Sequence, residues 1–197
     1  MWFRKAHNHP LEKSLFGLHF AHPLDFATLA PSKEELLKAA SKGKRIRFLE
    51  LTEDVEHLFS LLYDFTDLVV IPTSAFERVD APDLYETLDA ILSTRLLYDH
   101  RIPLVLRIAP GQDEKELDQM IAYCRLSGID GLLVPGLGNL RYVLSATQGR
   151  IPLLSYAHLE TPEDAAERLR EGAVLVDSGG KKPTWIREAL QIIANHD

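Results

Sequence analysis

The chain has 197 residues, of which 46% are hydrophobic and 26% charged, and 22 Lys+Arg against 29 Asp+Glu give a formal net charge of -7. That balance suits one globular domain, 1–197, with a sizeable core. The acidic surface argues against nonspecific binding to nucleic acid or anionic membrane. Cys124 is the one cysteine, so no internal disulfide can form, and no Cys/His spacing suits zinc. No apolar run reaches membrane-spanning length and residues 1–10 lack a signal-peptide core, so a cytoplasmic location is expected.

The first 23 residues form a hairpin region, with short apolar runs at 15–20 and 24–27 flanking Ala21, His22 and Pro23. The run 24–27 reads as the first parallel strand. A helix over 32–41 follows, and Ser32 with Glu35 makes a capping box at its start. From residue 45 onward β-rich runs alternate with helical patterns. Strands are expected at 45–51 (RIRFLEL), 68–71 (LVVI), 103–108 (PLVLRI), 130–134, 151–156 and 173–176. The run LVVI is continuously apolar, as a strand covered on both faces should be. Helices are expected at 52–65 with Thr52 as N-cap, 83–98, 113–127, 140–147 after a turn at Gly136 and Gly138, 161–171 and 183–194. Strand–helix alternation implies a parallel sheet of about seven strands, either a closed barrel or an open doubly wound sheet.

Several segments taken together resemble the class 2 dihydroorotate dehydrogenases. Residues 150–176 (RIPLLSYAHLETPEDAAERLREGAVLV) are similar to that family's closing βα units, where G-R-[LIV]-P-I-I-G-V-G-G-I precedes a helix and G-A-S-L-V-Q. IPLVLRIAP at 102–110 looks like V-P-I-x-V-K-I-A-P, and GIDGLLV at 128–134 like G-I-D-G-[VL]-I-x. LFGLHFAHPL at 15–24 resembles the F-G-L-x-F-x-N-P-[VL] hairpin, and LVVIPTSAF at 68–76 stands where the family has I-x-[IL]-N-[IVF]-S-S-P-N. The order is the family's, and the resemblance implies an α/β fold of TIM type, a (β/α) barrel shortened to about seven parallel strands behind an N-terminal β-hairpin.

The same resemblance assigns site positions. The family's phosphate-binding glycines fall at Ser155, Ala157 and His158, where side chains replace bare backbone; His158 offers a ring to a phosphate or is a plain loop residue. The later phosphate turn corresponds to Asp177, Ser178, Gly179 and Gly180, followed by Lys181 and Lys182. This stretch is read as an anion site or as a tight turn with solvated lysines. The family's flavin-side lysine is Arg107, its asparagine is Gly136, and its A-A-G contact is Ala27, Thr28 and Leu29. A following lysine falls at Ser32, with Lys33 next to it. The catalytic serine matches Ser74, but the asparagines flanking it are Ile71 and Phe76. A polar substrate edge left without partners loses recognition heavily.

The resemblance also implies the loss of one βα unit, since only residues 31–43 separate the first strand from 45–51; strands 24–27 and 45–51 are then expected as exposed edges, with a homodimer across an open barrel. The expected function is a dihydroorotate dehydrogenase-like pseudoenzyme that has lost FMN and orotate chemistry and binds a protein or small molecule. The alternatives are an active FMN-dependent oxidoreductase of pyrimidine biosynthesis, with FMN as cofactor, and a phosphate-ligand barrel of other chemistry. No metal site is expected; His7 and His9 read as solvated, and Trp2 and Trp185 as packing near the termini. Glu50, Glu53, Asp54 and Glu56 read as acids at a helix start.

Overall fold

The computed structural model describes residues 11–27, 31–77, 83–156 and 159–195. The fold is mixed α/β. A two-stranded antiparallel hairpin, β1 (Lys13–Leu15) and β2 (Leu18–Phe20), precedes helix α1 (Lys33–Ser41). Then come β3 (Ile46–Glu50), α2 (Val55–Leu62), β4 (Thr66–Pro72), α3 (Leu84–Arg95), β5 (Leu104–Arg107) and α4 (Glu114–Ser127). The chain closes with β6 (Gly131–Pro135), α5 (Gly136–Thr147), β7 (Leu153–Tyr156), α6 (Pro162–Arg170), β8 (Leu175–Val176) and α7 (Pro183–Ala194). Strands β3 to β8 pair in chain order, all parallel.

Two separate cores show how the sheet curls. Leu49, Val69, Ile71, Leu106, Leu132 and Val134 pack against the helices. The alternate residues Phe48, Leu68, Val70, Val105, Leu133 and Leu154 form an inner cluster with Phe20 and Phe26. Side chains alternate faces along a strand, so the continuous apolar runs supply both cores at once. Each fully buried Leu, Val or Phe contributes roughly 1.5–3 kcal/mol.

The hairpin plugs the end of this curl where the strands begin. Phe16 (φ 56°) and Gly17 (φ 79°) make its turn, and Leu15, Phe16 and Leu18 pack on the inner cluster. A Cβ on Gly131, at the start of β6, would lie 2.7 Å from the Phe16 ring and 3.2 Å from the Pro152 carbonyl, so any side chain there must push the hairpin's phenyl ring aside.

Among the described residues six strands pair in the sheet, and the seventh expected one, 24–27, runs beside β8 without joining the ladder. Val176 N–H donates to the Pro23 carbonyl (2.9 Å) and Ser178 N–H to that of Phe26 (3.0 Å). Two residues on one side thus span three on the other, and Pro23 has no N–H to offer. The same stretch reaches across to β3. Arg47 holds Asp25 (3.0 Å) and the His19 carbonyl (2.6 Å), and the Phe26 and Phe48 rings lie 5.0 Å apart. The edge expected to lie open is bridged by the chain's own residues.

Smaller departures have local causes. Helix α1 opens with the Ser32–Glu35 capping box, as expected. Helix α2 starts at Val55 rather than 52, because Asp54 adopts a left-handed conformation (φ 46°) and pairs with Lys33 at 2.5 Å. Helix α5 begins at Gly136, with no intervening turn. Among the described residues no helix is long and apolar enough to cross a membrane.

Candidate functional site

Each strand that sends an apolar side chain inward sends its next inward residue to the open end of the curl. After Phe48 comes Glu50, after Val105 comes Arg107, and after Leu154 comes Tyr156. These three come from alternate strands, β3, β5 and β7, and so share one layer, as barrel interiors require. Barrel active sites lie at this end.

The three side chains form a closed group. Arg107 Nη1 donates to both oxygens of Glu50, at 2.6 and 2.8 Å. The Arg107 guanidinium lies 4.1 Å from the Tyr156 ring centroid, and the Tyr156 hydroxyl donates to the Ile108 carbonyl. Glu50 is buried, with its side chain 8% exposed, while Arg107 keeps 30%. Burial pulls the Arg107 pKa down, but the Tyr156 hydrogen bond and the Glu50 carboxylate outweigh it and leave it above the usual arginine value. Burial raises the Tyr156 pKa, and Arg107 opposes that shift only in part. Glu50 is therefore a buried partner of Arg107, not a solvated acid facing a helix dipole.

Beside this layer, Thr73 Oγ1 accepts from Ala109 N–H (2.9 Å) and ties the ends of β4 and β5 together. Ser74 follows on a short helical turn and is exposed. At the end of β7, Ser155 is fully buried; its Oγ donates to the Val134 carbonyl (3.3 Å) and accepts from Arg168 Nη1 (2.9 Å). Arg168, on α6, also donates to the Tyr156 carbonyl (2.9 Å), is 6% exposed, and has a buried Nε without a partner. Burial lowers its pKa. His158 and Ala157 lie outside the described residues.

The turn after β8 lines a cleft of about 560 Å3 with Ser178, Gly179, Gly180, Lys181, Lys182 and Trp185. Gly179 (φ 56°) and Gly180 (φ 69°) give the turn its shape. Its hydrogen-bond donors are largely used internally. Ser178 N–H and Oγ both bond the Phe26 carbonyl, Gly179 N–H donates to Asp177 Oδ1 (2.9 Å), and Lys181 N–H to the Ser178 carbonyl (3.1 Å). Lys181 Nζ stands 5.5 Å from the Trp185 ring. The start of α6 is likewise closed by its own acid: Asp164 accepts from Glu160 N–H (2.7 Å) and Thr161 N–H (2.8 Å). Among the described residues no group of three or more His, Cys, Asp or Glu could hold a metal.

Arg107 is thus placed at the open end, Ser74 on the neighbouring strand end, and Ser178–Lys181 around the cleft. Glu50, Tyr156 and Arg168 were missed from sequence. Counting inward by twos from Phe48 and Leu154 reaches the first two; nothing in the charge-rich run 162–171 singles out Arg168.

No family profile matches the chain. A dihydroorotate dehydrogenase (quinone) from Synechococcus sp. (strain JA-3-3Ab) is 28% identical over 174 residues, covering 68% of this chain and 46% of that protein. The chain therefore spans less than half the length of this relative. In fold it matches a dihydroorotate dehydrogenase of Eimeria tenella, crystallised with ferulenol, at a TM-score of 0.70 and 14% identity, covering 100% of this chain and 88% of that one. A mandelate oxidase variant bearing an FMN adduct matches at 0.63 and 16%, covering 94% of this chain and 76% of that one. Sequence and fold point the same way: the chain is dihydroorotate dehydrogenase-like, with a TIM-type fold in which six parallel strands pair among the described residues.

Proposed function

We propose that this chain is a binding barrel of dihydroorotate dehydrogenase type that has given up FMN and orotate chemistry. The Arg107–Glu50 pair under Tyr156 carries the reading. An arginine bonded to a buried carboxylate is electrically silent toward a further anion, and its planar fork is already committed on one side.

The residues present do not fit FMN. Its phosphate needs unshielded N–H groups and bare backbone. Here Ser155 puts a bonded hydroxyl at the first glycine position, and the Gly179 N–H already serves a carboxylate from the same turn. Asp177 would face a dianion at short range. Asp164 closes the neighbouring helix start in the same manner. Three carboxylates of the chain itself thus occupy groups that an anionic coenzyme would require. The exposed Ser74 has no neighbouring asparagine to hold a planar polar substrate.

Thermal unfolding with FMN tests the reading. A ligand at a hundred times its Kd stabilises the native state by about 2.7 kcal/mol. The expected result is no shift in Tm with FMN up to millimolar concentration; a saturable rise overturns the proposal. A second reading rests on the cleft beside α7, where Lys181 and Lys182 meet a helix start without a side-chain cap. It predicts a Tm rise with inorganic or sugar phosphate that Lys181→Ala with Lys182→Ala abolishes.

A further inference from the structure

The opposite end of the barrel carries a second feature, independent of the open end. Among the described residues the three most exposed large apolar side chains are Leu126 (90%), Leu97 (82%) and Leu96 (84%). Leu96 and Leu97 directly follow α3, and Leu126 lies in the last turn of α4, so all three stand where the strands begin. Arg95 Nη2 and Arg101 Nη2 both donate to the Gly128 carbonyl, at 2.8 and 3.1 Å, which holds the two helix ends side by side. Asp130 joins the same knot, bonded to Arg95 (2.6 Å), Arg101 (2.5 Å) and Leu104 N–H (2.9 Å).

A cleft of about 540 Å3 includes Leu126 in its lining, together with Ala122, Cys124, Ile129, Arg125 and Arg150. No carboxylate lines it. Arg125 and Arg150 are exposed and form no ion pair among the described residues. Uncompensated positive charge beside bare leucines is out of character for a chain of net charge -7. Exposed apolar side chains rimmed by charge mark an interaction surface.

We infer that this face docks an acidic amphipathic segment of another protein, with its apolar side chains on Leu96, Leu97 and Leu126 and its carboxylates on Arg125 and Arg150. Charge complementarity selects this occupant. A two-fold pairing of identical copies brings the same arginines toward each other, which like charges oppose. A flat lipid surface leaves the concave cleft unfilled, and the chain's net negative charge repels anionic headgroups.

The test uses the full chain and a fluorescent helical peptide of about 16 residues, roughly 24 Å long, with leucines on one face and glutamates on the other. Anisotropy should show saturable binding that weakens with added salt. The same peptide with lysine for glutamate should bind at least about tenfold more weakly. Leu126→Asp, and separately Arg125→Glu with Arg150→Glu, should each weaken the acidic peptide about tenfold or more while circular dichroism and Tm stay unchanged. Both substitutions lie on exposed positions, which keeps folding out of the comparison. The inference is overturned by absence of saturable binding, by equal binding of the lysine peptide, or by indifference to both variants. It is also overturned if Leu126→Asp instead abolishes a dimer seen by sedimentation or co-sedimentation with anionic vesicles.

Discussion

Replacing Glu50 with glutamine keeps the shape of the side chain and removes its charge, so it isolates the electrostatic share of the central pair. Breaking a fully buried ion pair from one side costs about 3–5 kcal/mol, because the remaining charge stays desolvated. Glu50 is close to that limit, but Arg107 retains 30% of its exposure and keeps the face of Tyr156. Water reaching the guanidinium and a cation–π contact of about 0.5–2 kcal/mol both soften the loss. The expected destabilisation of Glu50→Gln is therefore about 1.5–3 kcal/mol. Urea unfolding at 25 °C measures it as a lowered midpoint with an unchanged slope. Arg107→Gln and the double variant complete a cycle whose coupling should exceed about 1 kcal/mol. A coupling near zero refutes the reasoning, since it means that the two charges are solvated and Arg107 is free to meet a ligand.

Two further outcomes follow from the packing. Gly131→Ala drives a methyl into the Phe16 ring and should cost about 1–3 kcal/mol, and Phe16→Leu in the same chain should recover part of it; an unchanged urea midpoint for Gly131→Ala alone would show that the hairpin does not plug the barrel. Burial pushes the Cys124 thiol up to about 12 from its ordinary 9.0, so the folded state favours the protonated form. This thiol leaves stability unchanged below pH 9.0 and lowers it as pH rises from there toward about 12, where the unfolded chain ionises and the folded one does not. At pH 8 a thiol reagent should label Cys124 in the native protein far more slowly than in the unfolded chain, and equally fast labelling would contradict its burial.

What could be read from sequence and what could not divide along physical lines. LVVI and PLVLRI announce buried parallel strands, because a strand covered on both faces needs no polar alternation. The Ser32–Glu35 pair announces a helix start, because capping is local chemistry. The stretch 24–27 has strand composition, yet Pro23 and a one-residue offset against β8 keep it out of the ladder, and pairing partners are not local information. Gly136 and Gly138 look like a turn, but β6 passes directly into α5 there. Glu50 sits among other acids and reads as solvated until Phe48 is known to face inward. Arg168 is charged, helical and surrounded by charge in sequence, and only the fold reveals that it reaches under Ser155 and Tyr156.

The central claim is that the chain's own carboxylates hold the groups a flavin phosphate and ring would need. Its most direct test is equilibrium dialysis of the purified protein against FMN, read by visible absorbance. The account predicts no bound flavin above that of an unrelated acidic protein. One FMN per chain, retained through dialysis, would contradict it.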